Sequence, residues 1–101
     1  MPRFDSRSTL LQQAWLGDAV LALYVREKIL REDGLLDGEK YTRMTSNQFL
    51  SALGEPSSVE AEIGTLYQAQ GLAAAFAFIE TRLIPVFDKQ ENNRRKRLGL
   101  I

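Results

Sequence analysis

From Ala14 to Val25 the chain reads Ala-Trp-Leu-Gly-Asp-Ala-Val-Leu-Ala-Leu-Tyr-Val, and Asp18 carries the only charge in that run. A surface helix alternates an apolar and a polar face at a period near 3.6 residues, and this run has no polar face of its own. It is expected to form a helix buried nearly all round, with a carboxylate in its middle. An ionised carboxylate is costly to bury unless a partner or a metal compensates it. The alternative is that Asp18 occupies a narrow solvent-facing strip or caps another element. A second segment has the same grammar: Val59-Glu60-Ala61-Glu62-Ile63-Gly64-Thr65-Leu66-Tyr67. Two carboxylate-bearing helices with glycines beside the acids, Gly17 and Gly64, predict one site assembled at a close helix crossing.

The remaining composition narrows the chemistry. With 101 residues the chain is expected to form one domain with a single core, about residues 8–88, followed by a basic tail over 89–101. Thirteen basic and thirteen acidic residues cancel, which argues against a general polyanion binder but leaves room for local segregation of charge. Cysteine and histidine are both absent, so disulfides, thiolate sites and imidazole bases or ligands are excluded. Catalysis would have to run on carboxylates, hydroxyls, amines or a hard cation bound through oxygen. Met1–Ser8 lacks the apolar centre of a signal peptide, and no apolar stretch approaches the roughly 20 residues that span a bilayer. A cytoplasmic protein without a membrane partner is expected.

The pattern along the chain is helical throughout. Ser6 or Ser8 can cap a first helix that runs toward Leu30 and stops at Asp33-Gly34, with Gly17 marking a bend or a close contact. A second helix is predicted over about Lys40–Leu53. Gly54-Glu55-Pro56 breaks the chain, and Ser57 or Ser58 is expected to cap the next helix, which Gly71 ends. Ser57 and Glu60 have capping-box spacing, which would account for Glu60 without any chemistry. A last helix over Leu72–Phe87 carries Phe76, Ile79, Leu83 and Phe87 at helical spacing, kinked or shortened by Pro85. No segment alternates as a strand does, so the predicted fold class is all-α, a compact bundle of four or five helices.

An Asp and a Glu on neighbouring helices, without nitrogen or sulfur ligands, suit Mg²⁺ or Mn²⁺. Mg²⁺ often takes only one or two carboxylates and completes its shell with waters and substrate phosphate oxygens. Such a cation can activate water and neutralise charge in phosphodiester hydrolysis.

The run Ala14-Trp15-Leu16-Gly17-Asp18-Ala19-Val20 with Tyr24-Val25-Arg26 resembles the signature helix of the ribonuclease III catalytic domain, most closely its Mini-III subgroup. The Val59–Tyr67 segment followed by Gly71-Leu72 resembles the second acidic helix of that family, and Asp37-Gly38 resembles the Glu-Gly that opens the helix between them. The likeness spans about Leu10 to Phe87. It implies a ribonuclease III endonuclease-like helical fold, without length for a double-stranded-RNA-binding domain. It also implies a homodimer with two sites along one RNA-binding valley, and Mg²⁺-dependent cleavage of double-stranded or structured RNA. Asp18 and Glu60 then fall on the catalytic, metal-holding acids, with Ser57 and Asp37 as supporting residues near them. Ribonuclease III has a glutamate one turn before the aspartate and an aspartate three residues before the glutamate; here Ala14 and Ser57 stand in those places. Ala14 is shared with the Mini-III pattern. Between the motifs, Leu53-Gly54-Glu55-Pro56 leads almost directly into the acidic helix, without the usual RNA-gripping loop.

Outside these motifs, Arg94-Arg95-Lys96-Arg97 can neutralise RNA phosphates or form a solvated tail. Arg26 and Lys28 are open to the same two readings. Trp15 is expected in the core or a dimer interface, and Glu62 at the surface or an interface, with a new site acid as the alternative. Two functions follow: a metal-dependent endoribonuclease, or a degenerate member of the same fold that serves as a dimerisation or RNA/ribosome-binding module.

Overall fold

The computed structural model describes residues 6–99, and every element among them is helical. Helix α1 (Ser6–Asp33) is the spine, 28 residues and about 42 Å long. Helix α2 (Gly38–Thr45) and the single turn α3 (Asn47–Leu50) fold back along it. Helix α4 (Pro56–Gln70) crosses α1 in the largest interhelical contact of the molecule. Helix α5 (Leu72–Phe78), a π-helical turn (Ile79–Leu83) and α6 (Ile84–Arg97) complete the bundle. No described helix is long and apolar enough to cross a membrane.

Local chemistry sets the boundaries. Helix α1 ends where Gly34 takes a positive φ of 75° and its N–H bonds the Leu30 carbonyl at 3.1 Å. It already contains Ser6 and Ser8, so neither precedes it as a cap, and the residue before it lies outside the described residues. The predicted helix over Lys40–Leu53 is two helices. Ser46 has an extended backbone, and its hydroxyl accepts from Phe49 N at 3.1 Å, ending α2 and capping α3. The cap of α4 is Glu55, not Ser57 or Ser58. Its carboxylate accepts the N–H groups of Ser57 and Ser58 at 3.2 and 2.9 Å, and Pro56 takes the first helical position it favours. Ser57 is therefore inside the helix, and the Ser57–Glu60 capping box does not form.

Pro85 does not end the last helix. The π-helical turn just before it widens the ladder, and α6 continues to Arg97. The basic cluster is thus the last turn of a helix, where cations complement the carbonyl end of the dipole.

The core gathers one face of each helix: Leu21, Val25 and Ile29 of α1, Met44 of α2, Phe49 and Leu50 of α3, and Val59 and Ile63 of α4. Ala75, Ile79, Leu83 and Phe87 close it. Tyr24 stacks edge-on against Phe76 at 5.2 Å, and its hydroxyl donates to Glu80 at 3.3 Å. Burial and the neighbouring Glu80 carboxylate push the Tyr24 hydroxyl up to about 12.

The expectation that α1 is buried all round is corrected. Only the face bearing Ala14, Gly17, Val20, Leu21, Tyr24 and Val25 is covered, and Asp18 is exposed. Leu11, Trp15, Ala19 and Leu23, spaced by four, form an exposed apolar stripe, with Trp15 79% exposed. A run apolar on both sides covers its second face only if something else packs there, and nothing among the described residues of one copy covers it. Trp15 is accordingly not a core residue of this chain.

Candidate active site

The two acids meet because two glycines let their helices touch backbone to backbone. A Cβ on Gly17 would stand 1.7 Å from the Glu60 carbonyl oxygen, and one on Gly64 would stand 2.0 Å from the Gln13 carbonyl oxygen. No side chain larger than hydrogen fits either position without moving a helix. Gly17 is therefore a point of contact, not a bend. Beside it, Gln13 Nε2 donates to Gln68 Oε1 at 2.7 Å, clasping the same two helices.

This crossing sets Asp18, next to Gly17, against Glu60, whose backbone Gly17 touches. The Asp18 carboxyl lies close enough to Glu60 to act on its ionisation. Burial pushes the Glu60 carboxyl up to about 7, helped by the neighbouring Asp18 carboxyl and by the charge of Glu55. Asp18 is exposed and Glu60 half-buried, so one side of the pair opens to solvent. The bury-or-pair dilemma of the sequence is resolved differently from expectation: no polar or charged side chain is fully buried among the described residues.

The pair fits a hard cation of low protein coordination. Both groups offer only oxygen, they lie side by side at the crossing, and Asp18 is open to solvent. Among the described residues, no third histidine, cysteine or acid joins them in a metal-binding cluster.

The other candidate residues lie in several places. Ser57 is half-buried on the first turn of α4, three residues before Glu60 and so on the same helical face. Ala14 is only 6% exposed within the buried face of α1, so a longer acid could not take its place without opening the crossing. Asp37 caps α2 by accepting from Lys40 N at 3.0 Å. It lines a pocket with Ile29 and Leu30, roughly 15–20 Å along α1 from Asp18, so it does not support the pair. Glu62 is exposed and lines a groove between α4 and Phe78. Arg26 lies over the Tyr41 ring at 4.7 Å, and Lys28 pairs with Glu32 at 2.6 Å; each is engaged along its own end of α1. Arg94, Arg95, Lys96 and Arg97 share the end of α6, with Arg94 and Arg97 turned into a cleft facing Arg43.

Sequence reasoning missed Glu55. Its negative charge acts on Glu60, and its own carboxyl is held below the usual range by the N–H and hydroxyl of Ser58 and the N–H of Ser57. The available signal was Pro56, which favours the first helical position and so points to the preceding residue as the cap. It also missed the paired hydrogen bonds from Arg43 to Glu91, at 3.0 and 3.1 Å, which tie α2 to α6 across 48 residues of chain. Comparison with protein-family models, with curated proteins and with solved structures finds no match for this chain.

Proposed function

We propose that this protein is a cytoplasmic, Mg²⁺- or Mn²⁺-dependent endoribonuclease that hydrolyses phosphodiester bonds in double-stranded or structured RNA, with Asp18 and Glu60 as its metal-holding acids. The observation that carries the reading is the glycine-on-glycine contact of α1 and α4, which sets Asp18 beside Glu60. Like charges placed this close are costly in the empty protein, and a cation is the ligand that relieves them. When bound, the ion supplies charge neutralisation and a more acidic water. Asp18 and Glu60 would hold the ion through their carboxylate oxygens, those of exposed Asp18 being the more accessible.

Homodimer formation belongs to the same proposal. The exposed stripe of Leu11, Trp15 and Leu23 lies on the helix that carries Asp18. A two-fold partner would cover it and set a second acid pair in the same assembly.

A second reading is supported by the pair standing alone, with buried Ala14 and with Ser57 where two further acids would sit. On that reading the chain is a degenerate dimerisation or RNA/ribosome-binding module. Incubation of the protein with long double-stranded RNA in Mg²⁺, Mn²⁺ or chelator decides between them. The nuclease reading expects metal-dependent cleavage that Asp18→Asn and Glu60→Gln each reduce by orders of magnitude while leaving the helical fold intact. Intact RNA in both metals at high protein concentration refutes it and leaves the module.

A further inference from the structure

Helix α6 outruns the core that its first half helps to build. Leu83, at the end of the π-helical turn, and Phe87 are buried. The stripe continues as Gln90, Asn93, Arg94 and Arg97, spaced i, i+3, i+4 and i+7, so these four share one helical face. The spacing that elsewhere packs apolar side chains here carries only hydrogen-bond donors and charge. All four line an open cleft of about 520 Å³, with Ser46 and Gln48 among its other lining residues and the buried Phe49 and Phe87 at its floor.

The charge in this cleft is unbalanced. Arg43 is bound to Glu91 through two hydrogen bonds, so those two charges cancel. Among the described residues the salt bridges are Lys28–Glu32, Lys40–Asp33 and Arg43–Glu91, and none involves Arg94 or Arg97. Arg95 and Lys96, on the same turn, are exposed and do not line the cleft. A chain of zero formal charge thus concentrates in one concave strip two guanidinium groups without a salt bridge among the described residues, and several amide donors.

We infer that this cleft holds the sugar–phosphate backbone of RNA, with Arg94 and Arg97 on neighbouring phosphates and Gln48, Gln90 and Asn93 on phosphate or 2′-hydroxyl oxygens. Guanidinium groups bind phosphate in paired hydrogen bonds, and amides serve the alternating donors and acceptors of ribose. Contacts of this kind position the RNA without reading its sequence. The inference rests on the RNA reading above but not on cleavage, because the cleft shares no residue with the Asp18–Glu60 pair.

The test compares two double variants that lose equal charge from the same helical turn. Binding of a short fluorescein-labelled RNA duplex is measured by anisotropy in EDTA, across about 50–200 mM salt. Arg94→Gln/Arg97→Gln is expected to bind at least about tenfold more weakly, with the salt slope reduced by about two. Arg95→Gln/Lys96→Gln should stay within about threefold of the parent, because it removes only diffuse charge. Circular dichroism confirms that both remain helical. Equal losses in the two variants, or no RNA binding by the parent protein, would overturn the assignment. Metal-dependent cleavage is scored separately. Cleavage with equal losses removes the cleft and keeps the nuclease, whereas cleft-dependent binding without cleavage does the reverse.

Discussion

Replacing Gly64 with alanine adds one carbon atom at the backbone contact between α1 and α4. The new Cβ would lie 2.0 Å from the Gln13 carbonyl oxygen, about 1.4 Å inside an ordinary 3.4 Å contact, and 3.0 Å from Gly17 N. Both obstacles are backbone, so no rotamer change relieves them, and α1 and α4 must move apart. A gap of 0.5–1 Å already forfeits about a quarter to a half of a contact's attraction, and this is the largest helix contact in the bundle. Overpacking of this kind costs about 3–5 kcal/mol, offset by about 1 kcal/mol from the better helix propensity of alanine. A net loss of about 2–4 kcal/mol lowers the midpoint of thermal unfolding by roughly 10–25 °C in a domain of this size. The assay is thermal unfolding by circular dichroism in chelator at fixed protein concentration. Gly38→Ala provides the control, since a Cβ there meets nothing within 4 Å; it should change stability by no more than about 1 kcal/mol in either direction. Gly17→Ala should behave like Gly64→Ala, and the double variant should lose less than the sum, because the helices separate only once. A Gly64→Ala protein as stable as its parent would refute the backbone contact, and with it the reason Asp18 and Glu60 meet.

Glu60 titrates near 7 in the folded protein against an ordinary value of 4.5, so the folded state holds its proton the more tightly. That contribution to stability is complete below about pH 4.5 and is lost as pH rises through about 7, roughly 1–2 kcal/mol after solvent screening. Glu60→Gln should therefore be more stable than the parent at pH 8 in chelator and equal to it at pH 4; a less stable variant at pH 8 would contradict the pairing. Ser57→Asp, on the helical face of Glu60, should tighten Mg²⁺ binding measured by calorimetry at pH 8, whereas Ala14→Glu should lower the unfolding midpoint without tightening it. Trp15→Arg should shift sedimentation toward the monomer at micromolar concentration while leaving the helical spectrum unchanged; a parent protein that is itself monomeric removes the dimer from the proposal.

The sequence carried the crossing because its signal is local and doubled. Gly17 beside Asp18, and Gly64 four residues after Glu60, each mark a helix that can be approached closely, and only another such helix needs both. The breaks at Asp33-Gly34, Gly54–Pro56 and Gly71 were readable for a similar reason, since each depends on residues next to one another. The covering of α1 was not readable. Leu11, Trp15 and Leu23 would look the same in a helix buried by its own chain and in one left open, because apolarity records that a face avoids water but not what covers it. The split at Ser46 and the passage of α6 beyond Pro85 depended on a backbone turn and a π-helical widening that tertiary packing selects.

The acid pair and the stability of the fold cannot be tuned independently in this architecture. The contact that aligns α1 with α4 for packing is the contact that brings two like charges together, so the bundle places its least comfortable electrostatics at its tightest joint. If α1 and α4 were separated by the 1.4 Å that a Gly64 methyl demands, burial of Glu60 and the influence of Asp18 on it would both weaken, and the Glu60 pKa would fall back toward its ordinary value. A structural role for the crossing alone would favour neutral residues at both positions, since Asn and Gln would fill the same space without repulsion. Two carboxyls where amides would be more stable are the feature that the proposed cation would account for and that packing does not.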